Sequence, residues 1–406
     1  MLNKLYCFDY IIVGAGIIGL SIARELIRQQ PKATIAILEK ENEIGLHASG
    51  RNSGVLHSGI YYKEGSLKAK FCLDGAREMA AYCYENNLPI NRIGKLIVSQ
   101  KPTDNKIIDL LYNRALNNGA KVEKIKQCEL KKIEPYVNSA TEDILFSPDT
   151  SVINPKIILL HIYHELINKN VTFFFNSQFT GIDLKKRKLV VGKASISYGH
   201  LFNAAGLYAD RVAVLCGVED RYVMIPFKGV YYEQVPNSSI QINHLIYPVP
   251  DMNVPFLGVH FTKSLEGKLY VGPSAIPVLG RENYSRMKGV NIKDAIDTFY
   301  EVSQQYLANK QGFRYYAHQE IPRFIKACFV ASARALVPNI KASDLVKSSK
   351  VGIRAQLLDK HKRELVMDFI VSKSENETHV LNAVSPAFTS AFSFSKFIVN
   401  SFSSNL

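Results

Sequence analysis

Short apolar runs and one helix-like stretch set the pattern of the first forty residues. Apolar runs occupy 8–13 and 34–39, and residues 17–29 between them have the pattern of a helix, with Pro31 after it as a stop signal. A tight glycine turn at 14–16 joins the first run to the helix. The pattern predicts a strand, a helix and a second strand, which form one βαβ unit with a right-handed crossover.

The pattern changes twice beyond this unit. A loop at 42–62 is rich in Gly, Ser, His and Asn, and loops of that length inside a compact domain are usually functional. Between about 216 and 345 β-rich stretches and prolines dominate, and from 351 the pattern resembles the first third again. The other predicted elements are helices at 67–86, 293–309 and 386–400, and strands at 94–99, 171–175, 189–191, 200–205, 230–234 and 268–271.

Glycines follow the first strand at the spacing of a dinucleotide-binding turn. In the segment GAGIIG at 14–19, Gly14 permits the tight turn, Gly16 lets the backbone approach a pyrophosphate, and Gly19 lets helix and strand pack closely. The helix N-terminus, at Ile17, offers N–H groups and partial positive charge to phosphates. Glu39 is placed to bind ribose hydroxyls and would repel the 2′-phosphate of NADP. The motif predicts an adenine dinucleotide but does not separate FAD from NAD.

A chain of 406 residues exceeds what one hydrophobic core usually organises, so we expect two domains. The predicted fold class is α/β, or α+β overall, with a Rossmann-type cofactor domain made of discontinuous segments and an inserted β-rich substrate domain. The cofactor domain takes residues 1–90, 145–215 and 346–406, and the substrate domain takes 91–144 and 216–345.

Composition adds one feature to this picture, an excess of positive charge. The hydrophobic fraction of 47% and the charged fraction of 21% are ordinary for a globular protein, but the net charge is +14. Lys and Arg are densest at 121–132, 185–188 and 341–363. These runs are either solvated surface, with 185–188 as a hairpin turn, or a basic face that rests on anionic lipid or gathers an acidic substrate. No recognisable nucleic-acid-binding motif accompanies them, so nucleic acid is not an expected partner.

The cysteines and the first residues argue against other classes of protein. The six cysteines form no Cys-x-x-Cys pair and no Cys/His cluster with zinc spacing, so we expect no metal and a reducing compartment. No stretch approaches the ~18 continuous apolar residues of a membrane-spanning helix. The apolar run at 10–20 superficially resembles a signal peptide, but glycines interrupt it, and no Arg-rich presequence precedes Asp9. We expect a cytoplasmic protein, peripheral on the membrane if the basic face binds lipid.

Motifs in the same order along nearly the whole chain resemble those of one flavoprotein family. The first is ASGRNSGVLHSGIYY at 48–62, followed by GSLKAK at 65–70. With the later matches, it resembles the L-2-hydroxyglutarate oxidase/dehydrogenase family, a branch of the D-amino-acid-oxidase-like flavoproteins. The later matches are NAAGLYADRV at 203–212, PFKGVYY at 226–232, YPVP at 247–250, FLGVHFT at 256–262, GIRAQ at 352–356 and NAVSPAFTS at 382–390.

The resemblance implies FAD as cofactor and oxidation of L-2-hydroxyglutarate to 2-oxoglutarate by hydride transfer to flavin N5, with electrons passed to a quinone or to oxygen. In this family the last helix, after Pro386, points its N-terminus at the flavin N1–C2=O edge. Ser and Asn offer short hydrogen-bonding groups, and Arg51 offers charge to phosphate. The FAD-binding residues that the resemblance implies are Ser49, Arg51, Asn52, Ser53, Phe179, Ala205, Gly206, Thr389 and Ser390.

Oxidation of a 2-hydroxy acid needs an anchor for the 1-carboxylate and a base for the hydroxyl proton. Arg354 is the expected anchor, because a guanidinium grips a carboxylate bidentately and related branches place a substrate-binding Arg in this segment. His57 and His260 are equal candidates for the base, since histidine is matched to neutral pH. The second carboxylate would need another cation or several hydroxyls, for which the candidates are Lys228, Arg281, Tyr61 and Tyr62.

Four positions depart from the family pattern. Asn154 stands where an acid is expected and Ser274 where the family tends to have Asn, and both bear on substrate selection. Phe388 and Phe392 replace smaller residues and bear on packing near the flavin. Three alternatives stay open: an FAD-dependent oxidase or dehydrogenase of another small acid, such as an amino acid or glycerol 3-phosphate; an NAD-dependent dehydrogenase; and a non-catalytic flavin or basic binding module.

Overall fold

The computed structural model of the chain describes residues 6–192, 194–252, 256–285 and 289–403, so the predicted domain limits at 1 and 406 lie outside the described residues. The strands are β1 Tyr6–Val13, β2 Ile35–Leu38, β3 Val55–Leu56, β4 Ile90–Arg92, β5 Lys95–Val98, β6 Glu123–Lys126, β7 Asp143–Ser147, β8 Ser151–Ile153, β9 Thr172–Phe174, β10 Phe179–Asp183, β11 Lys188–Val191, β12 Ala194–Asn203, β13 Tyr222–Gln234, β14 Leu245–Pro248, β15 His260–Lys263, β16 Leu269–Gly272, β17 Ile276–Pro277, β18 Leu345–Asp359, β19 Glu364–Leu365, β20 Ile370–Lys373 and β21 Glu377–Asn382. The α-helices are α1 Ile17–Gln29, α2 Leu67–Glu85, α3 Asn105–Asn117, α4 Gln127–Ile133, α5 Pro155–Asn168, α6 Ala209–Leu215, α7 Ile292–Ala308, α8 Phe313–Glu320, α9 Lys326–Arg334 and α10 Ala387–Ser403.

The first sheet carries the glycine turn. Its central strands follow the order β9-β2-β1-β12-β21 and are parallel, while β10 and β11 join β12, and β20 joins β21, through antiparallel pairing. This is the strand order of a Rossmann-type fold, in which ligands bind at the carboxyl ends of the strands where the order reverses. The reversal lies at β1, and Gly14 follows the last residue of β1. The fold therefore places the glycine turn at the expected ligand crevice.

The second sheet has the order β19-β18-β13-β16-β15-β14-β5-β7-β6, with β17 paired to β13. One of its faces packs into an apolar core that includes Leu96, Ile246 and Phe261. Side chains alternate between the faces of a strand, so Lys95, Tyr247 and His260 lie on the opposite face. We call that opposite face the polar face. A small third sheet consists of β3, β8 and β4.

The last helix brings the end of the chain back to the glycine turn. α10 packs on α1 and α2, and Phe394 lies 5.5 Å from Phe71 of α2 between ring centres. The helices α2 and α10 approach closely at Gly75, where an added Cβ would lie only 2.5 Å from the carbonyl oxygen of Thr389. The packing fixes the N-terminus of α10 beside the loop that contains β3.

Most predicted elements are confirmed. β1, α1 and β2 form the predicted βαβ unit, and α2, α7 and α10 begin within one residue of their predicted starts. The basic run 185–188 lies at the turn between β10 and β11, as one of its two interpretations required. The sheet pairing departs from the predicted division at two points, since β7 of the second sheet runs on to Ser147, past the predicted limit at 144. β18 and β19 pair within the second sheet, so that sheet extends to Leu365 rather than ending at 345.

Candidate cofactor and substrate site

The glycine turn after β1 has no room for side chains. Gly14 has a φ of +106°, and a Cβ there would lie 2.6 Å from the carbonyl oxygen of Ala204. A Cβ at Gly19 would lie 2.0 Å from the carbonyl oxygen of Gly14, so α1 packs directly on the turn. Gly14, Gly16 and Ile17 line a large cavity, and Gly19 lies behind its wall. The turn thus leaves the N-terminus of α1 available to a phosphate.

Glu39 follows β2 at the same edge of the sheet and lines the same cavity. Its carboxylate accepts hydrogen bonds from the backbone N–H groups of Ala15, at 2.9 Å, and of Glu41, at 3.0 Å. One side chain therefore fixes the glycine turn relative to β2. An ionised carboxylate has about four lone-pair sites, so these two bonds leave acceptor capacity for a hydroxyl ligand.

The loop at 48–54 is held by its own polar side chains. Ser49 Oγ accepts a hydrogen bond from the N–H of Ile17 at 2.9 Å, which caps the start of α1. Asn52 donates through Nδ2 to the carbonyl of Ser49 at 2.6 Å and accepts from the N–H of Gly54 at 2.8 Å. Ser49, Asn52 and Ser53 all line the cavity. Their hydrogen bonds shape its wall, whatever contact they make with a ligand.

Arg51 also lines the cavity, but it is partly engaged by the protein. Its Nε donates to the carbonyl of Leu46 at 2.7 Å, and its guanidinium carbon lies 4.2 Å from the ring centre of Tyr284. A guanidinium has five N–H donors, so donors remain for a phosphate. The other predicted cofactor residues on the cavity wall are Phe179, Ala205 and Gly206.

The start of α10 closes the other end of the cavity, which residues 385–389 line. Thr389 Oγ1 accepts a hydrogen bond from the N–H of His57 at 3.2 Å and lies 3.3 Å from the carbonyl of Val55, to which it donates. Thr389 therefore ties the helix to the loop after β3. Ser390 is fully buried behind the wall, and its Oγ has no hydrogen-bond partner among the described residues.

The cavity has a volume of about 590 Å³, within the range of ~300–1,000 Å³ typical of small-molecule and cofactor sites. It runs from the glycine turn past the start of α10 to the polar face of the second sheet, where His260 and Arg354 lie on its wall. Backbone N–H groups at two helix N-termini, a carboxylate and largely apolar walls suit an elongated dinucleotide with an aromatic ring system. The residues present fit the FAD expected from the sequence.

His260 lies on β15 in the polar face. Its ring stacks on that of Tyr247, with 4.0 Å between ring centres, and its Nδ1 lies 2.8 Å from the carbonyl oxygen of Gly258. A carbonyl only accepts hydrogen bonds, so Nδ1 carries the proton and Nε2 keeps a lone pair in the neutral ring. Burial lowers the pKa of His260 to about 4, and the positive charges of Arg354 and Lys95 act in the same direction. His260 is therefore a neutral imidazole at neutral pH.

His57 follows β3 and also lines the cavity, with its ring 6.5 Å from that of Tyr247 between ring centres. Burial lowers its pKa well below the usual value, and the charges of Lys95, His260 and Arg354 add to that effect. Its Nδ1 is buried and has no hydrogen-bond partner among the described residues. The two predicted bases are thus brought to one cavity, where both are neutral.

Arg354 lies on β18, where it pairs with Phe227 of β13 on the cavity wall. Its guanidinium carbon lies 5.1 Å from the ring centre of Phe256. Burial lowers the pKa of Arg354 from its usual value, while nearby tyrosines and Glu320 act in the opposite direction. A guanidinium stays protonated in proteins, so this wall of the cavity is positively charged.

All four residues predicted to hold the second carboxylate, Tyr61, Tyr62, Lys228 and Arg281, lie outside the cavity lining. Tyr61 is half-buried, and its hydroxyl has no hydrogen-bond partner among the described residues. Burial raises the pKa of Tyr62 well above its usual value, so its hydroxyl stays protonated. Lys228 follows Phe227 on β13, and the alternation of a strand turns its side chain to the other face. Tyr61 and Tyr62 lie near the polar face, and Lys228 does not.

Arg281, the fourth of these residues, has a structural partner. It donates to both carboxylate oxygens of Asp210, one of them at 2.8 Å, and to the carbonyl of Leu207. The two side chains are only 7% and 6% exposed. Asp210 also accepts a hydrogen bond from the N–H of Met224 at 2.9 Å. This buried network gives Arg281 a role in joining α6 to β13, and the geometry gives no support to substrate binding.

Lys95 is a further charged residue of the polar face, and no motif in the sequence identified it. Lys95 is fully buried, and its Nζ has no hydrogen-bond partner among the described residues. The Nζ atom lies 4.7 Å from the ring centre of Tyr61 and 5.5 Å from that of Tyr247. Burial lowers the pKa of Lys95 to about 8, so it is mostly protonated at neutral pH. The available signal was a lysine inside the apolar run 94–99.

The four departures from the family pattern fall into two groups. Ser274 and Phe388 line the cavity, and Ser274 Oγ accepts a hydrogen bond from the N–H of Val230 at 3.2 Å. Asn154 caps α5 and donates to Glu266 at 3.1 Å, so it lies away from the cavity. Phe392 is buried in the core between helices. Of the four, only Ser274 and Phe388 are placed to affect a ligand.

Comparison with known proteins identifies the family of the chain. The model of the family "FAD dependent oxidoreductase" matches residues 9–400. The chain is 35% identical to an L-2-hydroxyglutarate dehydrogenase of Indibacter alkaliphilus, across 95% of this chain and 96% of that protein. It is 33% identical to the mitochondrial L-2-hydroxyglutarate dehydrogenase of Homo sapiens, across 97% and 88% of the two chains. The L-2-hydroxyglutarate dehydrogenase of Escherichia coli is 31% identical, across 97% and 92%.

Solved structures share the fold at lower sequence identity. An L-α-glycerophosphate oxidase from Mycoplasma pneumoniae with FAD bound superposes with a TM-score of 0.78 at 21% identity, covering 98% of this chain and 95% of that one. A glycine oxidase from Geobacillus kaustophilus superposes with a TM-score of 0.71 at 14% identity, covering 98% and 94%. These likenesses confirm the predicted fold class.

The buried Arg281–Asp210 pair yields a prediction about stability. Arg281→Met should lower the free energy of unfolding by about 3–5 kcal/mol, because it leaves the Asp210 carboxylate buried without its partner. Arg92→Met is the control, since Arg92 pairs with Asp149 at the surface with side-chain exposures of 57% and 47%, and should cost at most about 1 kcal/mol. Denaturant unfolding followed by circular dichroism measures both. Equal midpoints for Arg281→Met and the wild type would contradict the structural role of Arg281.

Proposed function

The chain belongs to the FAD-dependent oxidoreductase family that also contains the L-2-hydroxyglutarate dehydrogenases, and we propose that it oxidises L-2-hydroxyglutarate to 2-oxoglutarate. One observation carries the proposal: a guanidinium, Arg354, and a neutral imidazole, His260, lie on one wall of the cofactor cavity. They would supply the anchor and the base that oxidation of a 2-hydroxy acid needs. The names of the relatives at 31–35% identity supply the substrate.

The cofactor is FAD, and we infer which residues hold it. The backbone of the glycine turn and the N-terminus of α1 would receive the pyrophosphate, and Glu39 the ribose hydroxyls. Ser49, Asn52 and Ser53 would line the cofactor from the loop at 48–54. The N-terminus of α10 would face the isoalloxazine ring with its partial positive charge. When bound, FAD accepts the two electrons of the substrate as a hydride.

Arg354 would bind the 1-carboxylate of the substrate. Its guanidinium is already removed from water, so a carboxylate that reaches it finds a weakly screened cation. Bidentate pairing would fix the substrate in one orientation, which is what hydride transfer from one carbon requires. The anchor and the base then act on neighbouring groups of the same molecule.

His260 would take the proton of the substrate hydroxyl through Nε2, while the hydride leaves the carbon that bears this hydroxyl. The contact between Nδ1 and the Gly258 carbonyl holds the ring in the tautomer with a free Nε2 lone pair. Stacking on Tyr247 holds the ring plane. No described hydrogen bond orients the Nδ1 side of the His57 ring, so we place His260 first for the base and His57 second.

Lys95 would favour the second carboxylate by its charge. Lys95 does not line the cavity, but its ammonium is desolvated, and it contributes to lowering the pKa of both His57 and His260, which do. Lys68 on α2 is a second buried lysine near Arg354, with a pKa lowered to about 7, chiefly by burial. Together with Arg354 they make this end of the cavity suitable for a substrate with two negative charges.

For the electron acceptor we propose a quinone or oxygen, with the protein resting on a membrane surface in the first case. The excess of basic residues supports contact with anionic lipid. Within the described part of the chain, every helix is too short or too polar to span a bilayer.

The substrate is tested by anaerobic reduction of the bound flavin. The purified protein should be yellow, with absorption near ~450 nm that bleaches when L-2-hydroxyglutarate is added without air. D-2-hydroxyglutarate, glycerol 3-phosphate and glycine are the comparison substrates. Bleaching by one of these and not by L-2-hydroxyglutarate would contradict the proposal, as would a protein that binds no flavin after reconstitution with FAD.

The base is tested by the pH dependence of flavin reduction. An imidazolium cannot accept a proton, so the second-order rate constant should fall as the pH drops through about 4 and should stay level from about pH 6 to 5, where Lys68, with a pKa of about 7, stays protonated. His260→Asn should reduce the rate by about 10²–10⁴-fold and His57→Asn by less. Stopped-flow absorbance under nitrogen measures both. A fall centred near pH 6.5, or a larger effect of His57→Asn, would contradict the assignment.

A further inference from the structure

Helix α7 is amphipathic in the reverse sense to most surface helices. Its buried side chains are polar: Thr298, Glu301 and Gln305. Its exposed side chains include Phe299 at 68% and Leu307 at 64% exposure. A surface helix usually turns its apolar stripe to the core, so this helix presents that stripe to something outside the described fold.

The exposed apolar surface continues beyond α7. The six most exposed large apolar side chains of the described residues all lie within 292–325, and they are Ile292, Ile296, Phe299, Leu307, Phe324 and Ile325. Leu307 of α7 and Ile321 of the 3₁₀ turn after α8, Ile321–Phe324, border one cavity of about 350 Å³, so the two parts adjoin. We call the surface of residues 292–325 the docking face. Exposed apolar patches of this kind mark interaction sites.

Positive charge surrounds this apolar surface. Lys293, Lys310, Arg314 and Lys326 are exposed there. The acids of the same segment are largely neutralised, because Asp294 pairs with Arg211, Glu301 with Arg363 and Glu320 with Arg323. Asp297 is the one exposed acid among the described residues of this segment. Apolar side chains inside a cationic rim match a bilayer that has anionic headgroups.

We propose that the docking face binds the surface of an anionic lipid bilayer. A second copy of the chain fits less well, since a symmetric contact through this face would bring the same cations of both copies together. The three basic runs predicted from sequence lie elsewhere, at β6–α4, at the β10–β11 turn and on β18. The apolar side chains, rather than those runs, therefore define the contact.

The docking face also adjoins the proposed active site. Its cavity is lined by mostly apolar residues, including Val302, Phe313 and Tyr316. Tyr316 stacks on Phe256, with 4.8 Å between ring centres, and Phe256 lines the cofactor cavity. One layer of aromatic rings separates the two cavities. The functional reason for membrane contact, access to a lipid-soluble electron acceptor, rests on the proposed function, but the lipid contact itself does not.

The test is co-sedimentation of the FAD-loaded protein with vesicles. The probes are vesicles of phosphatidylcholine alone and of phosphatidylcholine with phosphatidylglycerol. The wild type should bind the anionic vesicles more tightly and release in salt of about 0.5 M. The triple variant Ile296→Gln, Phe299→Gln, Phe324→Gln should bind the anionic vesicles at least about tenfold more weakly than the wild type, because three apolar contacts are lost.

The matched control is Leu110→Gln, Leu116→Gln, Leu160→Gln, which changes three exposed leucines on α3 and α5 and should bind as the wild type does. Wild type that stays in the supernatant with both vesicles, or a docking-face variant that binds unchanged, would overturn the inference. The inference would also be overturned if the wild type were a dimer that binds no vesicles and the docking-face variant were a monomer. Flavin reduction by L-2-hydroxyglutarate in solution is measured on every sample. Protein that is reduced but does not bind vesicles would contradict the lipid contact alone, and protein that binds vesicles but is not reduced would contradict the proposed function alone.

Discussion

Positive charge buried beside the cofactor cavity is the constraint on which the proposed function depends. Arg354 lies on the cavity wall, and Lys95 is fully enclosed between tyrosine rings behind it. Removing a cation from water costs several kcal/mol unless other groups compensate, so such positions are rare without a function. Aromatic faces supply part of that compensation through cation–π contacts. An anionic substrate would add further compensation, which is why a dicarboxylate suits this end of the cavity.

The same charges set the state of the histidines. Burial, Arg354 and Lys95 together keep His57 and His260 neutral, and a neutral imidazole is the form that can accept a proton. A carboxylate bound at Arg354 would reduce the net positive charge near the ring and so raise the pKa of His260. Substrate binding would then strengthen the base at the moment it is needed. The strand alternation that puts Tyr247 and His260 on one face of the second sheet places the stacked His260 ring at the cavity that Arg354 also lines.

Local pattern predicted the parts of the molecule that local chemistry determines. The glycine turn, Glu39, α2 and α10 follow from spacing and from turn residues, and the family motifs located Arg354, His57 and His260 near one site. Lys95 has only a weak sequence signal, a lysine inside an apolar run, because its burial depends on Tyr61 and Tyr247, which are distant in sequence. Arg281 was assigned to substrate because its buried partner, Asp210, lies far away in sequence. The exposed stripe of α7 has the same sequence pattern as a core-facing one, so only the fold reveals its direction.

Binding of a dicarboxylate to the FAD-loaded protein tests the central claim most directly. The dissociation constant of 2-oxoglutarate can be measured from the change in flavin absorption, without turnover. Arg354→Met should weaken binding by about 30-fold or more, the effect of removing one partner of a buried charge pair. Lys95→Met should weaken it by a smaller factor, and Lys228→Met, on the other side of β13, should leave it unchanged. Equal dissociation constants for the wild type and Arg354→Met would contradict the account.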